Sequence, residues 1–343
     1  MILQRVVCGV VALLAFGSGA QMARAADQVL IDAAKKEGSV TWYTALIVNQ
    51  FARPVAEAFE KKYGIKVDYV RANASETILR IQNEAKAGRV MVDAFDSFGA
   101  PPLERAGMLE SYTPESARRL PKEFYDPKGF WTASNLYVLT PGFNTDLVPK
   151  GSEPKTFADL LDPKWRGKMA WSSNVSPASG AGFIGLVLGE MGEEKGMDYL
   201  RKLAGQRIAG IPLAARQVLD QVIAGEYSIA LQIFNNHTVI SKAQGAPSDW
   251  IRMQPALVAL SVFSLPKNAP HPNAGKLFVD YIVSEEGQKA FRDADYMPVD
   301  PNVPPRDASL RPDGKTFRAR YLTPDELDQA LPVWGKIYND IFR

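Results

Sequence analysis

Apolar and polar positions along this chain alternate between two periods, and glycines mark the changes. Behind an opening apolar run from Val6 to Phe16, Val29 to Lys36 reads as a short helix that Gly38-Ser39 breaks. Val40-Thr41-Trp42-Tyr43-Thr44 then reads as a buried strand. Phe51 to Tyr63 has helical spacing and stops at Gly64, as a C-terminal glycine favours, and Ile65 to Val70 alternates as a strand. Strand, helix and strand joined this tightly imply a parallel sheet covered by helices.

The same grammar repeats. Ser75 is the expected N-cap of a helix from Glu76 to Ala87, Gly88 ends it, and Val90 to Phe95 follows as a strand. The extended stretch from Ala133 to Asn144 is the expected first crossing into a second lobe. Thr156-Phe157-Ala158-Asp159 reads as a capping box. Lys168 to Trp171 should be a strand that opens into a polar loop from Ser172 to Ser179, before a helix of small residues from Gly180 to Glu190. Val218 to Ala224 is helical, and Ser228 to Phe234 is a strand expected to stop at a polar loop, Asn235-Asn236-His237. Ala256 to Phe263 returns as a buried strand, Ala274 to Ile282 and Glu285 to Phe291 are helices, and Pro298 to Pro305 leads to two terminal helices.

The amino terminus changes the picture by setting a compartment. Arg5, the apolar run and Ala23-Arg24-Ala25 have the layout of a secretory signal peptide over residues 1–25. Its apolar core is too short to span a bilayer, and no later stretch approaches the roughly 20 apolar residues that spanning needs. Cleavage after Ala25 removes Cys8, the only cysteine, so the exported chain has neither disulfides nor thiolate ligands. Arg5 and Arg24 leave as well, and 40 Lys+Arg become 38 against 38 Asp+Glu. A balance near zero, with scattered basic residues, argues against nucleic acid or a membrane surface as partner. Residues 26–343 are too many for one typical core and suit two lobes of about 150 residues each.

Candidate chemistry follows from where strands end. Ligands in open α/β sheets sit beyond the carboxyl ends of strands, which makes Tyr43-Thr44 and Ser97-Phe98 candidate pocket edges. Ser179-Gly180-Ala181 opens a helix whose free N–H groups can cradle an anion, with hydroxyls from Ser172, Ser173 and Ser176 nearby; the same residues also serve as plain helix caps. Arg216 can offer a bidentate contact to a carboxylate or phosphonate. Gly180-Ala181-Gly182-Phe183-Ile184-Gly185 fits G-x-G-x-x-G, but it follows a polar loop in mid-chain, so close helix packing explains it better than a dinucleotide. With no G-x-S-x-G elbow and only His237 and His271 for a triad, an enzyme is not expected, nor is a cofactor.

The run Thr156-Phe157-Ala158-Asp159-Leu160-Leu161-Asp162-Pro163-Lys164-Trp165-Arg166-Gly167-Lys168, with Ser179-Gly180-Ala181, Ala224-Gly225-Glu226-Tyr227 and Ser284-Glu285-Glu286-Gly287-Gln288 in this order, resembles the iron(III)-type periplasmic binding proteins of ABC importers. These are type II solute-binding proteins, and the likeness runs from Val40 to about Val303. It implies an α/β Venus flytrap in which each lobe is a mostly parallel sheet flanked by helices and the lobes close by hinge motion. Residues 27–136 with 257–303 would form lobe 1, and 137–256 with 304–343 lobe 2. A periplasmic monomer that hands its ligand to an inner-membrane permease is the implied role.

The resemblance also implies a departure. In iron-binding members two adjacent tyrosines follow the strand that corresponds to Ser228–Phe234, and here those positions hold Asn235 and Asn236. The acidic ligand position falls near Phe98 and the histidine position around Ala45 to Val48. Neutral amides hold a hard trivalent cation poorly, and His237 with Asp93 or Asp96 would make only a weaker site, so no metal is expected. The expected cleft therefore combines Tyr43, Thr44, Ser97 and Phe98 with Asn235, Asn236 and His237, facing Ser173, Ser179, Gly180, Ala181 and Arg216. A small organic anion (carboxylate, phosphonate or phosphorylated compound) suits it; ferric iron or an iron chelate is the alternative, and a secreted hydrolase comes third.

Overall fold

The computed structural model describes residues 16–314 and 317–343. Of the leader expected over residues 1–25, positions 1–15 lie outside the described residues, and positions 16–25 belong to helix α1 (Phe16–Glu37). The expected order then holds for β1 (Ser39–Thr44), α2 (Arg53–Tyr63), β2 (Lys66–Arg71), α3 (Ala74–Lys86) and β3 (Ala94–Ser97), and the short elements α4 (Pro101–Arg105) and β4 (Leu109–Glu110) follow without having been expected. Gly64 ends α2 at φ 72°, in a left-handed cap that glycine adopts at little cost. Helix α3 starts earlier than expected, because Asn73 and Glu76 form the capping box and leave Ser75 inside the first turn. Strand β3 starts later, since Glu84 of α3 accepts the Met91 N–H and holds that stretch to the helix.

The crossing strand β5 (Thr132–Asn144) leads to β6 (Met169–Ser172), α5 (Gly180–Met191), α6 (Glu193–Ala204), β7 (Ala209–Ile211), α7 (Ala215–Ile223) and β8 (Ile229–Phe234). Asn235-Asn236-His237 are not a loop; they form the first turn of α8 (Asn235–Ala243). After β9 (Ser248–Trp250) the chain returns through β10 (Ala256–Pro266) to α9 (Pro272–Val283), α10 (Glu285–Asp293), β11 (Met297–Pro298) and β12 (Ala319–Leu322). One terminal helix stands where two were expected: α11 (Pro324–Phe342) continues through Pro332.

Among the described residues the strands join in one sheet of order β2-β1-β3-β10-β5-β8-β6-β7. The wings β2-β1-β3 and β8-β6-β7 are parallel, and the long antiparallel pair β5 and β10 bridges them. Two hydrophobic cores result. Trp42, Phe59, Phe263 and Phe278 centre the first, and Trp171, Phe183 and Trp334 the second. Strand alternation divides β10 between them, with Ala256, Val258 and Leu260 in the first core and Leu257 and Ala259 in the second. The protein is thus two-lobed, and its lobes share their crossing strands.

Candidate functional site

Strand register locates the place where the lobes meet. Thr44 pairs with Arg71 and Tyr43 with Phe95, so Thr44, Arg71 and Ser97 lie along one carboxyl edge of the first wing. In the second wing Ser172 pairs with Ile211, and β8 ends alongside them at Phe234. Ser97 sits opposite Val262 of β10, and Phe234 sits opposite Leu139 of β5. Since Leu139 faces Leu257 and Leu136 faces Leu260, both edges run out at the middle of the crossing strands. Carboxyl ends of open α/β sheets are where ligands bind, and here two sets converge.

Aromatic rings occupy this junction. Phe98, just past β3, and Phe234 are half-buried and pack against both cores. Their ring centroids are 6.4 Å apart with planes at 17°. Tyr137 of β5 lies 5.3 Å from Phe98 and 4.5 Å from Phe234, Tyr296 lies 6.1 Å from Tyr137, and His237 meets Phe234 edge-on at 5.0 Å. Only 7% of His237 is exposed, and its Nδ1 has no hydrogen-bond partner. Burial, with the positive charges of Arg216 and Arg71, holds its imidazole down to about 3, so the ring is neutral. Arg71 is exposed and its guanidinium makes no hydrogen bond or ion pair to a described residue, whereas Arg216 pairs with Asp220 at 2.9 Å.

The structure brings some of the expected residues together and not others. Tyr43 does not line the junction. Strand alternation turns it toward α3, where its hydroxyl donates to Glu84 at 2.7 Å and Arg80 covers the ring. Thr44 and Ser97 stand at the edge, but their hydroxyl oxygens accept the N–H groups of Leu46 and Gly99. Asn235 and Asn236 donate their amide N–H groups to the Leu310 and Asp295 carbonyls.

Ser173 follows β6 and donates its N–H to Ile211. Ser179, Gly180 and Ala181 do open α5, but all three are buried. The Ser179 hydroxyl donates to the Ser176 carbonyl at 2.6 Å and accepts the Ala181 N–H at 3.2 Å. Tyr338 and Trp171 close over Gly180. The expected anion cradle is therefore a closed helix cap. Arg71, Tyr137, Phe234 and Tyr296 were not anticipated; the strand-end rule that found Thr44 and Ser97 also reaches Arg71 and Phe234 when carried to β2 and β8.

Two other features lie away from the junction. Ser39 Oγ is 3.4 Å from His271 Nε2, and His271 Nδ1 is 3.0 Å from Asp93, in the outline of a hydrolase triad. This group sits at the amino ends of β1 and β3, and Asp93 also accepts the N–H groups of Thr41 and His271, so it ties β1 to the start of α9. A solvent-open recess of about 550 Å³ between Gly151 and Lys164 precedes β6 at its amino end. Among the described residues no group of three or more His, Cys, Asp or Glu is arranged to hold a metal ion.

Residues 91–320 match the profile of a family described as bacterial extracellular solute-binding protein. The chain is 28% identical over 294 residues to iron uptake protein A2 of Synechocystis sp., covering 80% of this chain and 83% of that one. It is 25% identical over 293 residues to a putative 2-aminoethylphosphonate-binding periplasmic protein of Salmonella typhimurium, covering 79% and 78%. The periplasmic binding protein AfuA of Actinobacillus pleuropneumoniae, solved with exogenous fructose-6-phosphate bound, shares the fold with a TM-score of 0.71 at 23% identity, covering 89% of this chain and 98% of that chain.

Proposed function

The chain belongs to the family of bacterial extracellular solute-binding proteins, and from that premise we propose that it captures a small organic anion for an ABC importer. The relatives are binding proteins of transporters, and their names point to phosphonate, sugar phosphate and iron. The proposal covers the compartment and the partner as well: an exported periplasmic monomer that presents its closed form to an inner-membrane permease. Lobe 1 (residues 27–136 and 257–303) and lobe 2 (137–256 and 304–343) would close on the ligand at the junction. Affinity then follows how much better the ligand fits the closed state than the open one.

The observation that carries an anion is the charge around His237. Arg71 at the end of β2 and Arg216 of α7, the latter paired with Asp220, both act on this buried, neutral ring. Arg71, at the carboxyl edge of the first wing and without an ion-pair partner among the described residues, draws a negative ligand and repels an amine. The positions that hold tyrosines in the iron-binding resemblance are Asn235 and Asn236, whose amides are bonded to backbone carbonyls, which supports an organic anion over a bare ferric ion.

A thermal-shift screen of residues 26–343 against small carboxylates, phosphonates, sugar phosphates, amines and ferric citrate tests this. A ligand at 100 times its dissociation constant raises apparent stability by about 2.7 kcal/mol. Anions should raise the transition and amines should not. A response to ferric citrate alone would remove the organic-anion reading.

A further inference from the structure

Hydrogen-bonding capacity at the junction is unevenly spent. The hydroxyl oxygens of Thr44 and Ser97 accept backbone N–H groups, and the amide N–H groups of Asn235 and Asn236 are donated to backbone carbonyls. A ligand rich in hydroxyls would find few partners there, and unpaired polar groups weaken binding. Beside these side chains lie aromatic surface from Phe98, Phe234 and Tyr137, the Arg71 guanidinium, which has no partner among the described residues, and the unpartnered Nδ1 of His237. Arg71 ends β2 opposite Thr44, and its charge reaches Tyr137, Tyr296 and His237.

Resting on the anion-capture reading above, we infer that the ligand is an aromatic acid, with its planar ring against Phe98 and Phe234 and its anionic group anchored by Arg71. Phe98 follows β3 and Phe234 ends β8, and their nearly parallel rings, 6.4 Å between centroids, form with Tyr137 one aromatic surface against which a flat ring can lie. Ring faces carry negative charge and repel an anion. The acid group must therefore project past them, toward Arg71 and the His237 edge. A guanidinium suits carboxylate, phosphate and phosphonate alike through paired N–H donors.

Isothermal titration of the purified protein with benzoate and phenylphosphonate, against cyclohexanecarboxylate and methylphosphonate, tests the inference and separates carboxylate from phosphonate. The aromatic member of each pair should bind at least about tenfold more tightly. Arg71→Gln should weaken the aromatic acid by about 10–100-fold, the worth of a charged hydrogen bond. Arg71 is exposed, so the variant should keep its circular dichroism and melting profile. Phe98→Leu should erase the aromatic preference by weakening benzoate and phenylphosphonate about tenfold. Equal binding of the paired acids, no loss in Arg71→Gln, or no binding of either aromatic acid overturns the inference. Saturated or sugar-phosphate anions that bind in those cases leave the capture role standing, and a response to ferric citrate alone removes both.

Discussion

Asp96 accepts the indole N–H of Trp42 at 2.9 Å, and its other oxygen accepts the Ala45 N–H at 3.0 Å. One fully buried carboxyl thus fixes the ring at the centre of the first core and the turn that follows β1. Burial pushes this carboxyl up to about 6, although its hydrogen bonds pull the other way, and it is ionised at neutral pH. Asp96→Asn puts an N–H where an acceptor is needed, opposite Trp42 or Ala45. The cost should be about 1–3 kcal/mol at pH 7.5, seen as a lower melting temperature in calorimetry. An unchanged transition would mean the turn relaxes without penalty.

Helix α5 depends on missing side chains where it crosses α11. A Cβ on Gly185 would come within 2.4 Å of the Trp334 ring, and one on Gly180 within 2.6 Å of Tyr338. The glycine spacing that fits a dinucleotide motif is thus a packing feature. Gly185→Ala should destabilise by about 1–3 kcal/mol through overpacking. Adding Trp334→Leu should return part of that loss, because the two changes share one contact. Denaturant melts of the two single variants and the double variant measure this coupling, and strict additivity would place the strain elsewhere.

How much of this was legible in the chain depends on the kind of signal. Strands β1, β5 and β10 could be read because their continuous apolar runs, the first and last set off by Gly38 and Pro255, mark buried strands. The start of α8 could not, since Asn235-Asn236-His237 has the composition of a loop and no apolar period announces a helix. Tyr43 was assigned to the wrong surface because alternation shows that neighbours face opposite ways without showing which face a helix covers. Arg71 is reached only when the strand-end rule is carried to β2, since a single arginine there otherwise reads as an ordinary solvated residue.

His237 should make the protein acid-sensitive. Its imidazole is held down to about 3, while an unfolded chain takes up the proton near the ordinary value of about 6.5. A base whose folded value is depressed favours the folded state above the unfolded pKa, and that contribution is lost as pH falls from about 6.5 toward 3. His237→Gln removes the titration, so the wild type should lose more stability than the variant between pH 6.5 and 4. Melting temperatures of both proteins across that range decide it, and parallel curves would show that His237 is open to water.

Ser179 separates a structural role from a binding one. Its hydroxyl caps α5 and is spent on the Ser176 carbonyl and the Ala181 N–H. Ser179→Ala removes the cap, which should cost about 1 kcal/mol of stability. Ligand affinity at temperatures where the variant is folded should change less than about threefold, because the hydroxyl has no free capacity for a ligand. Titration calorimetry below the transition, paired with a melt, measures both effects. A large loss of affinity with little loss of stability would mean that the turn Ser176-Pro177 opens when ligand binds. In that case the amino end of α5 joins Arg71 in holding the anion, and the closed cap seen here is the resting arrangement of that site.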